Sequence, residues 1–72
     1  MELDYKAIGK RIKIARIQAE LSQEALAEKA DLSPTHMSNI ENANTKLSLP
    51  MLISIANALS VSADTLLCDS VI

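Results

Sequence analysis

Thr35, His36, Ser38 and Asn39 are the residues whose types and spacing could do chemistry. They lie in the run Ser-Pro-Thr-His-Met-Ser-Asn-Ile-Glu-Asn, residues 33–42. Met37 and Ile40 are three apart and face one way on a helix, which leaves the four polar residues facing the other. A helical row of short, neutral, hydrogen-bonding side chains suits the reading of base edges in a major groove. An Asn amide can bond bidentately to adenine N6 and N7. Thr35 can donate, accept, or lay its methyl on a thymine. His36 is either a plain exposed helix residue or a phosphate or base contact. Catalysis is not expected. No paired carboxylates, Cys/His arrangement or Gly-rich phosphate loop is set up as a site.

Local signals predict the elements that must hold this row. Ser33 is an N-cap and Pro34 takes the first helical position, where its missing N–H costs nothing; the helix runs to about Asn42. Ser22 caps a preceding helix, about Gln23 to Ala30, with Ala25, Leu26 and Ala30 on its inner face. Asp31-Leu32 makes the turn between them. Asp31 is expected at positive φ, and Leu32 is expected to anchor the turn in the core. Upstream, Asp4 caps a first helix from about Tyr5 to Ala19, with Ile8, Ile12, Ala15 and Ala19 as its buried stripe. Gly9 either admits another helix closely or is simply tolerated. Ile17 could close the side of the core, and Ile14 looks exposed. After a polar loop from Ala43 to Leu47, Ser48 caps a fourth helix, Leu49 to Leu59, which buries Leu52, Ile55, Ala56 and Leu59. Ser62 caps a short fifth, Ala63 to about Leu67. The expectation is an all-α chain, five helices around one core, forming a single domain over residues 1–72.

Composition agrees with that outline. Of the 72 residues, 49% are hydrophobic, with one aromatic, one Gly and two Pro, which is a helical balance. The single Cys68 allows no internal disulfide and, with one His far from it, no metal cluster; it is more a small terminal hydrophobe than a redox sensor. No cofactor is expected. No apolar run approaches the ~20 residues of a membrane span, and the N-terminus lacks an apolar signal core, so a cytoplasmic protein is expected. The net charge is −2, yet Lys6, Lys10, Arg11, Lys13 and Arg16 crowd the first helix. A local patch can bind phosphate on an acidic chain. Lys10, Arg11 and Lys13 are either such a patch or a solvated face, with Lys10 and Arg16 best placed to reach a phosphate.

Four segments together carry a resemblance: Ile-Gly-Lys-Arg-Ile from Ile8, Leu-Ser-Gln-Glu-Ala-Leu-Ala from Leu21, Ile-Glu-Asn from Ile40, and Ile-Ala-Asn-Ala-Leu-Ser-Val-Ser from Ile55. In order and spacing they resemble the lambda-repressor-like helix-turn-helix family of phage repressors, Cro proteins and xenobiotic-response-element regulators. The resemblance covers Ile8 to about Leu67 and implies a compact five-helix DNA-binding domain whose second and third helices form the helix-turn-helix. It matches Ala27 to a small residue at the crossing of those helices. It matches Pro34, Thr35, Ser38 and Asn39 to base readers, although Pro34 offers only apolar contact. Gln23 matches a phosphate contact at the start of the second helix, and Ser33 lies at the groove edge. Asn42, Asn44 and Lys46 fall where the family's loop meets the DNA backbone, positioning without specifying. Arg16 and Glu41 match an ion pair bracing the third helix. The chain departs from the pattern at Asp31, Ala43 and Ser60, where relatives carry Gly, which predicts strained or reshaped loops.

The resemblance implies a regulator of transcription, expected to be a repressor, that binds double-stranded DNA as a homodimer on a partly palindromic operator. With no effector domain expected after the helical core, control would come from abundance, proteolysis or a partner protein. The rival reading is an interaction module, such as an antitoxin bound to its toxin, which the acidic C-terminal half would suit. Leu66, Val71 and Ile72 either join a dimer interface or only cover the core.

Overall fold

The computed structural model describes residues 4–67. Five helices follow one another: α1 (Tyr5–Gln18), α2 (Gln23–Lys29), α3 (Pro34–Glu41), α4 (Leu49–Leu59) and α5 (Ala63–Leu67). Each begins where a short polar side chain can take an orphan N–H of the first turn. Asp4 Oδ1 accepts from the Ala7 N–H at 3.2 Å. The hydroxyls of Ser22, Ser33 and Ser48 accept from Ala25, His36 and Met51 at 3.0, 3.0 and 3.3 Å. Ser62 does the same for Thr65 at 3.3 Å. All five caps stand where the sequence placed them, because an N-cap is a local signal.

The first four helices also end alike. In the first three the residue after the cap has a left-handed backbone, and in α4 the cap itself does: Glu20, Asp31, Ala43 and Ser60, with φ between 58° and 60°. In each, the next N–H reaches back five residues, from Leu21 to the Arg16 carbonyl, Leu32 to Ala27, Asn44 to Asn39, and Val61 to Ala56, at 2.8–3.0 Å. This is the Schellman ending, which normally takes Gly at its left-handed position. Here none does. The missing glycines at Asp31, Ala43 and Ser60 therefore leave the turns intact, and the chain holds L-residues in a conformation that costs them about 1–2 kcal/mol. Ala43 has no polar side chain to offset that cost. Ala43→Gly is expected to stabilise the fold by roughly 0.5–1 kcal/mol after the extra chain entropy of Gly, raising Tm by about 2–8 °C in a thermal melt.

The hydrophobic residue after three of these left-handed positions turns inward. Leu21, Leu32 and Val61 pack against a core of Ile8, Ile12, Leu26, Ala27, Met37, Ile40, Leu52, Ile55 and their neighbours. Leu32 thus anchors the α2–α3 turn as expected. α3 packs against both α1 and α2, α4 against α1 and α2, and α5 closes the bundle over α1 and α4.

Two expectations on α1 change, and of the two readings of Leu66 one is realised. Ala19 is exposed, because α1 ends at Gln18 and Ala19 is its cap. Ile17 does not close the core and is 57% exposed; it lies about 140° around the helix from Ile12. Leu66 is fully buried and covers the core rather than facing a partner. Cys68, Val71 and Ile72 lie outside the described residues. Ile14 is exposed, as expected. Among the described residues no helix is long and apolar enough to cross a membrane.

Candidate nucleic-acid interface

α3 is held from below by its apolar side and by one buried charge. Met37 and Ile40 are 0% and 3% exposed. Beside them Glu41 is buried, its side chain 1% exposed against 12% for Arg16. Arg16 Nε donates to Glu41 Oε2 at 2.8 Å and Nη2 donates to Oε1 at 3.2 Å. Nη1 donates to the Leu21 carbonyl at 2.9 Å. A fork onto a carboxylate plus a third bond occupies the guanidinium's reach in one geometry. Arg16 was also expected to touch DNA phosphate. These three bonds hold it as the brace between α1 and the end of α3.

Gly9 lets that brace close. A Cβ built there would stand 2.6 Å from the Glu41 carbonyl oxygen and 2.7 Å from that of Ile40. Of the two readings of Gly9, close approach is the one realised, and backbone rather than side chain fills the space.

On the other side of α3, Pro34 and Thr35 are exposed and His36, Ser38 and Asn39 half-buried. The Asn39 amide has no hydrogen-bond partner among the described residues. Asn42 Nδ2 donates to Ser38 Oγ at 3.4 Å, joining a backbone-contact candidate to a base-reading one. Ser33 spends its acceptor on the α3 cap, leaving its O–H to donate outward. Gln23, expected at a phosphate, has its Nε2 donating to Glu41 Oε1 at 3.1 Å.

The first-helix cations divide between two sides. Lys6, Lys10 and Lys13, at helical spacing i, i+4 and i+7, are all exposed and line a trough of about 530 Å3 with Asn42 and Ala43. Arg11 faces instead a hollow beside Ile14, Gln18 and Thr65. So Lys10 and Asn42 come together, and Lys6, counted in the basic first helix but not among the phosphate contacts, joins them; its spacing from Lys10 and Lys13 was the signal. Asn44 and Lys46 are exposed in the loop that follows α3. A second hollow, of about 250 Å3, is lined by Tyr5, Ile8, Leu47, Leu49, Leu52 and Leu67, next to the exposed Leu49 on α4. No group of three or more His, Cys, Asp or Glu among the described residues could hold a metal ion.

Two short helices meeting at the Asp31 turn, the second braced beneath and polar outside, define a helix-turn-helix domain. The Helix-turn-helix model HTH_3 matches residues 12–66. The immunity repressor protein of Bacillus phage phi105 is 37% identical over 59 residues, covering 82% of this chain and 41% of that protein; the chain thus spans about two fifths of that relative's length. Among solved structures, SinR, a master regulator for biofilm formation in complex with DNA, is 41% identical with a TM-score of 0.77, over 83% of this chain and 97% of that one. The phage P22 c2 repressor in complex with a synthetic operator is 28% identical with a TM-score of 0.78, over 94% and 97%. The chain belongs to the lambda-repressor-like helix-turn-helix family of DNA-binding transcription regulators.

Proposed function

We propose that the protein is a cytoplasmic repressor that binds a partly palindromic operator as a homodimer, each copy laying α3 in the major groove. The observation that carries this reading is the outer face of α3, a polar row flanked by the lysine trough. Thr35, Ser38 and Asn39 would bond to base edges and Pro34 would give apolar contact. Gln23, Ser33, His36, Asn42, Asn44 and Lys46, with Lys6, Lys10 and Lys13, would follow the phosphates. The trough places its cations at the C-terminal end of α3, so a strand passing that end meets three ammonium groups in a row. With few cations on each copy, useful affinity needs two copies, which would read half-sites about one turn, ~34 Å, apart.

In vitro selection of bound duplex DNA tests this. The expected product is a site with two related halves at that spacing; unrelated sequences, or one unrepeated half, would defeat the reading. On the recovered site, Asn39→Ala is expected to cost ~1–3 kcal/mol and to relax preference at a single base position. Fluorescence anisotropy on single-base variants of the site measures both. Unchanged affinity and preference would mean that a different register of α3 enters the groove.

A further inference from the structure

We infer that Glu41 is a positioning residue for DNA binding, fixing the Gln23 amide so that one of its two N–H groups is held and the other is left for a phosphate. The inference rests on the reading of Gln23 as a phosphate contact. Gln23 is the first residue of α2, half-buried, and its Nε2 lies 3.1 Å from Glu41 Oε1. That oxygen belongs to a carboxylate already gripped by Arg16 through Nε and Nη2, and Arg16 is itself tied to the Leu21 carbonyl, two residues before Gln23. The four groups make one chain of bonds from the end of α1, through the end of α3, to the start of α2.

The chemistry of an amide gives this chain its consequence. A Gln side chain ends in an acceptor oxygen and a donor nitrogen of nearly the same shape. A phosphate oxygen only accepts, so half of the end-group orientations of an unrestrained Gln are useless to it. Turning the Gln23 oxygen toward Glu41 would set acceptor against acceptor in a buried place, so the carboxylate selects the orientation with nitrogen inward. One N–H is then spent on Glu41 and the second remains. The side chain also gives up its rotamer freedom on folding rather than on binding DNA. Arg16 has a part in this beyond bracing: it neutralises a carboxylate that would otherwise stand close to the phosphate and repel it.

The test is a thermodynamic cycle on the tightest duplex recovered by selection with the intact protein. Arg16→Met with Glu41→Met replaces the buried pair by apolar groups of similar volume, a change that folds tolerate, while removing the acceptor from Gln23. Gln23→Ala is made in the native protein and in this double variant, and a melting curve for each confirms that it is folded. In the native protein Gln23→Ala is expected to weaken binding by ~10-fold, as for a hydrogen bond to a charged group. In the double variant the same change is expected to matter by less than ~3-fold, since the amide is no longer held; such non-additivity is what coupled residues show. An equal effect of Gln23→Ala in both backgrounds would overturn the positioning role while leaving the phosphate contact standing. No effect of Gln23→Ala in the native protein would overturn the contact itself.

Discussion

Arg16→Ala is expected to be the most damaging single change in this domain, lowering stability by about 3–5 kcal/mol. The reason is what it leaves behind. Glu41 is the one buried charged side chain among the described residues, and both of its oxygens accept from Arg16. Without the guanidinium, a carboxylate remains out of water with only Gln23 to satisfy it. A 72-residue chain commonly holds roughly 4–11 kcal/mol in total, so the variant is expected to sit close to its unfolding threshold at room temperature. Urea denaturation followed by circular dichroism would show the midpoint moving sharply down. Arg16→Lys should recover only part, because a single ammonium cannot place the fork that Nε and Nη2 provide. Replacing both partners with Met should recover most of the stability, since neither charge is then buried alone. If Arg16→Ala instead moved the midpoint by the fraction of a kcal/mol typical of a surface pair, the network would be an ornament of α1 and no brace.

Gly9→Ala is the second large effect, and it works on the same junction by shape rather than charge. On an isolated helix the change would help by ~1 kcal/mol. Here the added methyl meets the Ile40 and Glu41 carbonyl oxygens at 2.7 and 2.6 Å, and backbone atoms cannot swing aside as a side chain can. α3 must move off α1, which stretches the Arg16–Glu41 fork and opens the core at Ile40. Overpacking of this kind costs ~1–3 kcal/mol, more than the helix gains. A thermal melt is expected to show a net loss of stability. DNA affinity on the selected site is expected to fall further than the melt alone accounts for, because the displaced element is the one that enters the groove. A variant more stable than the native protein would mean that the two helices separate easily.

The two predictions also show where the sequence was informative. Every cap from Asp4 to Ser62 was legible, because an N-cap is written in one residue and the periodicity after it. The Asp31 turn and the inward faces of α2, α3 and α4 were legible for the same reason. Glu20 was not seen as a left-handed residue: the usual marker is Gly, and none of the four positions carries it. Ile17 was misplaced because its apolar side chain suggested burial, whereas its angle on α1 decides against it. The bond of Arg16 to Glu41 could not be derived from spacing, since it depends on how α1 crosses α3. The bond between Gln23 and Glu41 was invisible, as it joins residues 18 apart through a crossing that only the fold creates.

Tyr5 is the only aromatic residue in the chain, with no Trp and no Phe, and it sits on the lining of the apolar hollow with Leu47, Leu49 and Leu67. The protein therefore carries one ultraviolet fluorophore, at one known address. Its emission needs no deconvolution and no attached dye. Whatever covers or uncovers that hollow, whether a second copy arriving or α5 lifting from α1, changes the polarity around a single phenol and registers as a single optical signal.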